Sequence, residues 1–388
     1  MKHSLIYLIL IFLLACQEKS NFENISVLQI DLDTSKNGKF SDLFDDIEYI
    51  LLVTPEDFPL VEPHNIKFSD KRIFVRDWAT NQLFIFDEKG RFERVIKAMG
   101  KGPGEYFQMN DFQIKGESIY ILDFFLNKII QFDFSGSFIQ EIRHDLDNNN
   151  FYLGSEYKLF FNSYNIDHGR FNFLRENEEG LKGFVSFEKD KENIVNFNSH
   201  TGFIEDPHNP FIYFNIPYST EVAVFNKKNG NLSRIIQFDF GKHNTETRVL
   251  KERSTTIQEI QSQRNLVVDL AAFFPFKNHY ITIVKQGAAK MHYLLLDQTF
   301  QKIGQFQHLE NDLDQMKFEG YPWTFSENEL VYSISTTSFY NDYVNTFSGK
   351  NVQVSSNNVH GFFDKSKEKL MDDSHMLIKL RVNNSFPN

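Results

Sequence analysis

Cysteine is almost missing from this sequence, with a single residue in a chain of 388. A disulfide framework needs at least two cysteines and a structural zinc site usually uses several, so both are excluded. Positive charge is also scarce, because 41 Lys and Arg residues stand against 52 Asp and Glu residues, for a formal net charge of −11. A surface of that sign repels a phosphate backbone, so we expect no nucleic acid among the partners.

Long apolar runs are missing as well. The longest is at residues 5–14 and has 10 residues, whereas a membrane-spanning helix needs about 20. With Lys2 before it, this run fits the apolar region of a secretory signal peptide, which we assign to residues 1–15.

The segment Leu13-Leu14-Ala15-Cys16 resembles a bacterial lipobox. The resemblance implies cleavage before Cys16, a diacylglycerol on its sulfur and an acyl chain on its new amino group. Two or three chains anchor a protein stably, whereas one chain gives only marginal binding. We therefore expect Cys16 to attach the protein to the lipid bilayer. No Asp follows Cys16, so we predict an outer membrane lipoprotein on the periplasmic or cell-surface face, with residues 16–40 as a flexible tether.

Aromatic residues, by contrast, are abundant, with 43 Phe, 15 Tyr and 2 Trp. They recur in an internal repeat, in which residues 73–92 match residues 119–138 at an offset of 46 without a gap. The matched turn positions are Asp77 with Asp123, Asn81 with Asn127, Asp87 with Asp133, and Gly90 with Gly136. A period of about 40–50 residues in an all-strand unit favours a β-propeller.

Each copy of the repeat has short runs of Ile, Val and Phe between turns, which predicts four strands. Degenerate copies extend the pattern to six, so we predict an all-β, six-bladed propeller of four-stranded blades at 41–383. The strand near residues 47–53 is expected to close the last blade beside residues 376–382. Two segments break the pattern: a short helical insert at about 245–262, and a long polar loop at about 339–373.

Three segments carry a family resemblance. Residues 40–52 and 373–381 resemble the first and last strands of the six-bladed β-propeller lipoproteins of Bacteroidota, which are relatives of NHL-repeat propellers. Residues 99–106, Met-Gly-Lys-Gly-Pro-Gly-Glu-Tyr, are similar to that family's loop after the first blade. The resemblance implies the fold and the envelope location, and it implies little chemistry.

The glycine-rich loop and the aromatic residues supply the candidate ligand residues. The loop lacks the spacing of either phosphate-binding motif, and Pro103 removes one amide donor, so we interpret it as an inter-blade loop. Residues near strand ends would then line a face of the disc, where rings stack on a sugar or peptide, although core packing is the alternative for the aromatic ones. These candidates are Trp78, Lys101, Glu105, Tyr106, Tyr321 and Trp323.

Catalytic and metal motifs are absent from the sequence. Some NHL-type propellers are lyases that hold zinc with histidines near the central channel, and the better candidates here are His200, His208, His279 and His292. No pair of them has a spacing that predicts one site, so we expect neither a metal nor a cofactor. There is no Gly-x-Ser-x-Gly nucleophile motif, and 52 carboxylates without spatial information cannot name a glycosidase pair. We assign no catalytic residue.

These observations favour a binding or scaffold module for a glycan, a peptide or an envelope protein. A propeller presents loops from every blade around one axis, which suits recognition. The alternative is an enzyme with its active site in the central channel, either a metal-dependent lyase or a hydrolase. Convergent His or carboxylate side chains at one channel mouth would favour the enzyme.

Overall fold

The computed structural model describes residues 24–383 except for 147, 188, 190–198, 200, 207, 246–264, 277–278, 288–289 and 318–319. The predicted signal peptide, Cys16 and His200 lie outside the described residues, as does almost all of the helical insert predicted at 245–262. The described strands form six sheets, one per blade, as the repeat predicts.

Four antiparallel strands build each of the first three blades. The elements in chain order are β1 Ile25–Gln29, a 3-10 helix Leu32–Thr34, β2 Lys36–Lys39, α1 Phe40–Leu43 and β3 Phe44–Leu52; then blade 1, with β4 Pro63–Ser69, β5 Arg72–Asp77, β6 Gln82–Asp87 and β7 Phe92–Ile96; blade 2, with β8 Met109–Lys115, β9 Ser118–Asp123, β10 Lys128–Asp133 and β11 Phe138–Arg143; and blade 3, with β12 Asn150–Leu153, β13 Tyr157–Phe161, β14 Phe171–Asn177 and β15 Gly180–Ser186. The first strands β4, β8 and β12 contact one another, so the first strand of each blade lies nearest the axis.

The last three blades follow the same antiparallel order, with an insertion in blade 6. They comprise blade 4, with β16 Ile204–Glu205, β17 Phe211–Asn215, β18 Glu221–Asn226 and β19 Leu232–Asp239; a 3-10 helix Gly241–His243; blade 5, with β20 Val267–Phe276, β21 His279–Gln286, β22 Lys290–Asp297 and β23 Lys302–Glu310; and blade 6, with β24 Thr324–Ser326, β25 Glu329–Ser335, α2 Thr336–Phe347, α3 Val359–Leu370 and β26 His375–Val382.

The N-terminal strand completes the last blade, as predicted. β3 pairs antiparallel with β26, so blade 6 combines three C-terminal strands with one N-terminal strand. This pairing covers the outer edge of β26 and ties the N-terminal part of the chain to the last blade.

The expected flexible tether at 16–40 is wrong for its second half. β1 pairs in parallel with β19, and β2 pairs in parallel with β23, so these strands add a fifth strand to blades 4 and 5. The ordered structure therefore begins before residue 41, because residues 25–52 follow the rim of the disc across three blades. We call residues 25–39 the N-terminal strap.

The long polar loop predicted at 339–373 is also wrong, because the segment contains α2 and α3. Phe339, Tyr343 and Phe347 recur every four residues in α2 and are buried. The ring of Tyr343 stacks on Phe363 of α3 with the centroids 3.7 Å apart. This apolar stripe holds the helix pair to the protein, while the Asn and Ser residues that suggested a loop occupy other positions.

Turn residues take the conformations that the repeat predicts. Gly90 and Gly136 have φ values of 76° and 79°, and Asn81 and Asn127 have φ values of 55° and 48°. A side chain at Gly90 would place its Cβ 2.2 Å from the carbonyl oxygen of Leu51. Glycine is therefore required there both by backbone conformation and by close packing.

Aromatic side chains fill the interfaces between blades. Phe161 of blade 3 lies 4.6 Å from Phe214 of blade 4, measured between ring centroids, and 5.4 Å from Phe173. Burial of each such side chain is worth about 1.5–3 kcal/mol. Most of the aromatic excess in the sequence is thus explained by the core.

Connections alternate between the two ends of the disc because neighbouring strands within a blade are antiparallel. One end carries the connections between blades and the connections between the second and third strands of each blade. We call this end the loop face. The opposite end, the hairpin face, has turns of two to five residues. The loop face carries every longer connection, including α2, α3 and the glycine-rich loop after blade 1.

Candidate ligand site on the loop face

Exposed apolar side chains are distributed unequally between the two faces. Within the described ranges, four large hydrophobic residues, Phe138, Ile139, Leu181 and Ile303, are exposed where outer strands leave the hairpin-face turns, whereas ten are exposed in the connections of the loop face. They are Val61, Trp78, Met99, Phe107, Phe125, Ile166, Leu313, Val344, Val354 and Met371. The loop face is therefore the side on which we look for a ligand site.

The two tryptophans of the chain meet at His64, where the inner strand of blade 1 begins. The ring of His64 lies 5.2 Å from Trp78 and 6.0 Å from Trp323, measured between centroids. Trp78 directly follows the second strand of blade 1 and is 40% exposed, whereas Trp323 is half-buried in the connection from blade 5. Closure of the propeller therefore brings together two rings that are distant in sequence. We call Trp78, His64 and Trp323 the aromatic cluster.

Arg76 supports the aromatic cluster from below. Its guanidinium carbon lies 4.4 Å from the centre of the Trp78 ring, and Nη1 donates to the carbonyl oxygen of Asn110 at 2.6 Å. The residue is only 1% exposed. Burial lowers the pKa of Arg76 to about 10, so it stays charged at neutral pH. A buried cation against an indole face is worth about 0.5–2 kcal/mol.

A buried polar network connects the aromatic cluster to blades 2 and 3. His64 Nδ1 donates to Asn65 Oδ1 at 2.6 Å, and the amide of Asn65 lies 3.4 Å from a carboxylate oxygen of Asp111. Asp111 is completely buried and also accepts from Lys67 Nζ at 3.4 Å and from Asn150 Nδ2 at 3.2 Å. Since a buried carboxylate needs several donors, this network fixes the positions of the inner strands around the channel.

A second group of polar side chains lies between blades 4, 5 and 6. Asp269 sits on the inner strand of blade 5, beside a bulge in the pairing of β20 with β21. Burial raises the pKa of its carboxyl group to about 6, against the opposing effect of Lys285. Burial raises the pKa of Tyr321 as well, and the nearby negative charge of Asp269 adds to that shift. Burial also raises the pKa of Tyr218, and the same carboxylate adds to that shift.

Polar residues of the glycine-rich loop form hydrogen bonds that stabilise the conformation of the loop. Tyr106 is fully buried, and its hydroxyl donates to the carbonyl oxygens of Asn81 at 3.0 Å and Ile96 at 3.1 Å. The prediction that Tyr106 lines a ligand face is therefore wrong. Glu105 accepts from the backbone N–H of Gly102 at 2.8 Å and so turns into the loop.

Lys101 remains exposed on the same loop, with Nζ 5.4 Å from the ring of Phe107. Of the six predicted ligand residues, the structure thus brings Trp78 and Trp323 together and puts Tyr321 beside Asp269. The glycine-rich loop carries the other three.

The three candidate histidines that the structure describes, His208, His279 and His292, do not converge. His292 is buried, with Nδ1 2.7 Å from Ser35 Oγ and Nε2 2.8 Å from Gln286 Oε1. His208 lies in a turn of the hairpin face and His279 begins β21 at that same face. In the part of the chain that the structure describes, no three His, Cys, Asp or Glu side chains are grouped closely enough to hold a metal ion.

A groove of about 380 Å³ also opens between blades 2 and 3, next to the hairpin-face turn at residues 154–156. Both of its lysines already have partners: Lys115 Nζ donates to the carbonyl oxygen of Gly154 at 2.6 Å, and Lys158 pairs with Glu176 at 3.0 Å. The groove is therefore a weaker candidate than the aromatic cluster.

Sequence reasoning missed His64, Arg76 and Asp269. A signal for Arg76 exists in the repeat, since the offset of 46 aligns this cation with Leu122. His64 and Asp269 give no such signal, because their neighbours come from other blades.

Comparison with known proteins agrees with the fold. A model of the DUF5128 family, described as a 6-bladed beta-propeller, matches residues 17–333. The crystal structure of a Bacteroides fragilis protein described as exported aligns at 15% identity and a TM-score of 0.67, covering 93% of this chain and 100% of that one. A DUF4221 member from Bacteroides vulgatus aligns at 10% identity and a TM-score of 0.50, covering 88% and 98%. A search of curated proteins gives no match.

The helices offer no candidate for a membrane span: none within the described residues is long and apolar enough.

Proposed function

The chain belongs to the DUF5128 family of six-bladed β-propellers, and from this premise we propose that it is an extracytoplasmic binding module whose loop face recognises a glycan. The observation that carries the proposal is the meeting of Trp78 and Trp323 at His64. Indole rings present a broad apolar face that fits the C–H face of a sugar ring, while their N–H groups remain available to hydroxyls.

His64 supplies a polar group within the aromatic cluster that suits a hydroxyl group of a sugar. Its ring is half-buried, and its Nδ1 is held by Asn65 Oδ1 at 2.6 Å. A few fixed polar groups around an apolar platform are typical of small-molecule sites.

The location is part of the same proposal. Acylation of Cys16 would anchor the disc to the outer membrane, with only residues 17–24 between the anchor and β1. Fully extended, such a segment spans at most about 3.3–3.6 Å per residue, so the rim at blade 4 would lie close to the bilayer. The exported Bacteroides fragilis protein of the same fold is consistent with export.

A glycan-binding screen of the full chain tests the proposal. The variants Trp78→Ala and Trp323→Ala should each weaken binding at least about tenfold, since a lost stacking contact costs on the order of 1.4 kcal/mol. Phe138→Ala is the matched control, because Phe138 is 44% exposed but lies on the outer strand of blade 2. Equal loss in all three variants, or no binding by the native protein across neutral and acidic glycans, would contradict the proposal.

One observation favours an enzyme as the second candidate. A carboxyl group with a pKa of about 6, as at Asp269, can exchange a proton near neutral pH. Tyr321 and Tyr218 lie beside it, so this end of the channel could protonate a leaving group. If the protein is a hydrolase, Asp269→Asn should abolish turnover of a bound glycan and leave its binding intact. Product formation that persists in this variant would exclude that role for Asp269.

A further inference from the structure

Arg76 occupies a position where the fold does not need a charge. The repeat aligns Arg76 of β5 with Leu122 of β9, and Leu122 is completely buried in an apolar cluster. The neighbouring residues Asp77 and Asp123 play the same part in both blades, each accepting backbone N–H groups of the turn that follows. One blade therefore fills this site with leucine, while the other buries a cation.

The cation has no anionic partner within the described ranges. Nη1 donates to the carbonyl oxygen of Asn110, and Nε has no hydrogen-bond partner although it is buried. Asp111 is near enough to act on Arg76 electrostatically, but its oxygens already accept from Asn65, Lys67 and Asn150. Burying a charge without a counter-charge destabilises a protein, and an apolar residue of similar size would not.

We propose that the glycan is acidic, and that its oxyanion pairs with the guanidinium of Arg76 while a neighbouring sugar ring stacks on the aromatic cluster. This inference rests on the proposed function, and it names the class of ligand. The guanidinium group presents N–H donors in a planar fork that matches a carboxylate or a sulfate. Uronates and sulfated sugars share that chemistry.

Trp78 covers the site in the unbound protein. Arg76 is 1% exposed, and the indole of Trp78 lies over its guanidinium, so we expect the Trp78 side chain to shift when an anion reaches the guanidinium. Trp78 is 40% exposed at the end of its strand, which leaves room on the solvent side. Ligand binding should therefore change the environment of Trp78.

Because the protein as a whole is negatively charged, an acidic glycan needs a local positive charge, such as that of Arg76, in order to bind. With a formal net charge of −11, the surface as a whole repels polyanions, so non-specific attraction of an acidic glycan is disfavoured. Binding of such a ligand then depends on a local cation.

Intrinsic fluorescence of the full chain gives a direct test, because Trp78 and Trp323 are its only tryptophans. We would titrate a trigalacturonate, its fully methyl-esterified neutral counterpart, and a carrageenan tetrasaccharide that carries sulfate without carboxylate. The expected result is saturable fluorescence change with at least one acidic ligand, at an affinity at least about tenfold above that of the neutral ester. Carboxylate and sulfate are distinguished by which of the two acidic ligands binds.

The variant Arg76→Leu copies the residue of blade 2 and should remove the preference for the acidic ligand, so that the acid and its neutral ester bind this variant with affinities within about twofold of each other. Arg94→Leu is the control, because Arg94 is a cation of the same blade that donates to the carbonyl oxygen of Ser135 on the hairpin face. If Arg76→Leu does not fold, Arg76→Lys keeps the charge without the fork and should bind the acidic ligand more weakly than the native chain.

The outcomes separate the inference from the proposed function. Equal affinity for the acid and its ester, or an acid preference that survives at Arg76→Leu, would overturn the acidic-ligand inference and leave a neutral glycan as the ligand. Absence of binding by any glycan would count against both.

Discussion

Tyr49 of β3 lies opposite Ile378 of β26, so residues from the two ends of the chain are neighbours in one sheet. The pairing continues from Phe44 to Leu52 and joins the third strand of the chain to the last strand. Because the aromatic cluster combines Trp78 of blade 1 with Trp323 before blade 6, this closure also assembles the candidate site. The pairing of β3 with β26, which we call the seam, therefore supports both the stability of the propeller and the candidate site.

Weakening the seam should destabilise the whole propeller. Ile378 is completely buried, and truncating such a residue to alanine costs about 2–5 kcal/mol. Denaturant unfolding of Ile378→Ala should show this loss. The control Ile303→Ala, at a position that is 37% exposed on β23, should lose less than about 1 kcal/mol. Equal losses in the two variants would contradict the role assigned to the seam.

Two glycines should respond differently to alanine. At Gly90 a Cβ would meet the carbonyl oxygen of Leu51 at 2.2 Å, whereas at Gly116 it would meet nothing within 4 Å. Both residues have positive φ values, 76° and 57°, so both variants carry the backbone cost of about 1–2 kcal/mol. Thermal unfolding should show a clearly larger loss for Gly90→Ala. A loss no greater than that of Gly116→Ala would contradict the close packing between blades 1 and 6.

Removing the carboxylate of Asp111 should be among the most damaging polar changes. Asp111→Ala leaves the buried amides of Asn65 and Asn150 without their shared acceptor, and each buried donor left unsatisfied costs about 1–3 kcal/mol. Glu176→Gln is the comparison, because its pair with Lys158 is partly exposed and is worth at most about 1 kcal/mol. Chemical denaturation distinguishes the two. A small effect at Asp111 would mean that the network does not hold the inner strands.

The free energy of unfolding should fall as the pH is lowered, because the buried ring of His292 resists protonation in the folded protein. Burial lowers its pKa to about 4, so between about pH 6.5 and pH 4 the unfolded chain binds a proton that the folded protein excludes. The contribution is complete above about pH 6.5, and about 1–2 kcal/mol of it is lost by pH 5. We expect His292→Gln to lose less stability than the native chain between pH 7 and pH 5. His308→Gln, at an exposed position, should retain the full loss.

His292 also binds the N-terminal strap, since its Nδ1 meets Ser35 and its Nε2 meets Gln286. An identical loss of stability in the native chain and in His292→Gln would show that this histidine is not the acid-sensitive group.

The blades could be predicted from the sequence because their information is local. Strand, turn and strand follow one another within the repeat. Turn residues such as Asn81 and Gly90 indicate a positive φ angle, because Asn and Gly adopt that conformation more easily than other residues. The strap could not be predicted, because Ile25 finds its partner at Ile235, far along the chain. A five-residue strand whose apolar residues Ile25 and Val27 are exposed gives no sign of such a partner.

The candidate site was predictable only in part, for a similar reason. Strand ends and exposed rings pointed to Trp78 and Trp323, but the choice between core and surface depends on neighbours from other blades. Tyr106 was misassigned because its burial comes from packing between blades 1 and 2. The i, i+4 spacing of Phe339 and Tyr343 did signal α2, yet the surrounding Asn and Ser residues obscured it.

The most direct test of the loop-face site is the fluorine NMR spectrum of the full chain labelled with 5-fluorotryptophan. The chain has two tryptophans, so the spectrum contains one resonance for Trp78 and one for Trp323, assigned by single Trp→Phe variants. On titration with a glycan that binds, both resonances should shift together and saturate with the same dissociation constant. Binding detected by calorimetry while neither resonance moves would place the ligand elsewhere and contradict the account.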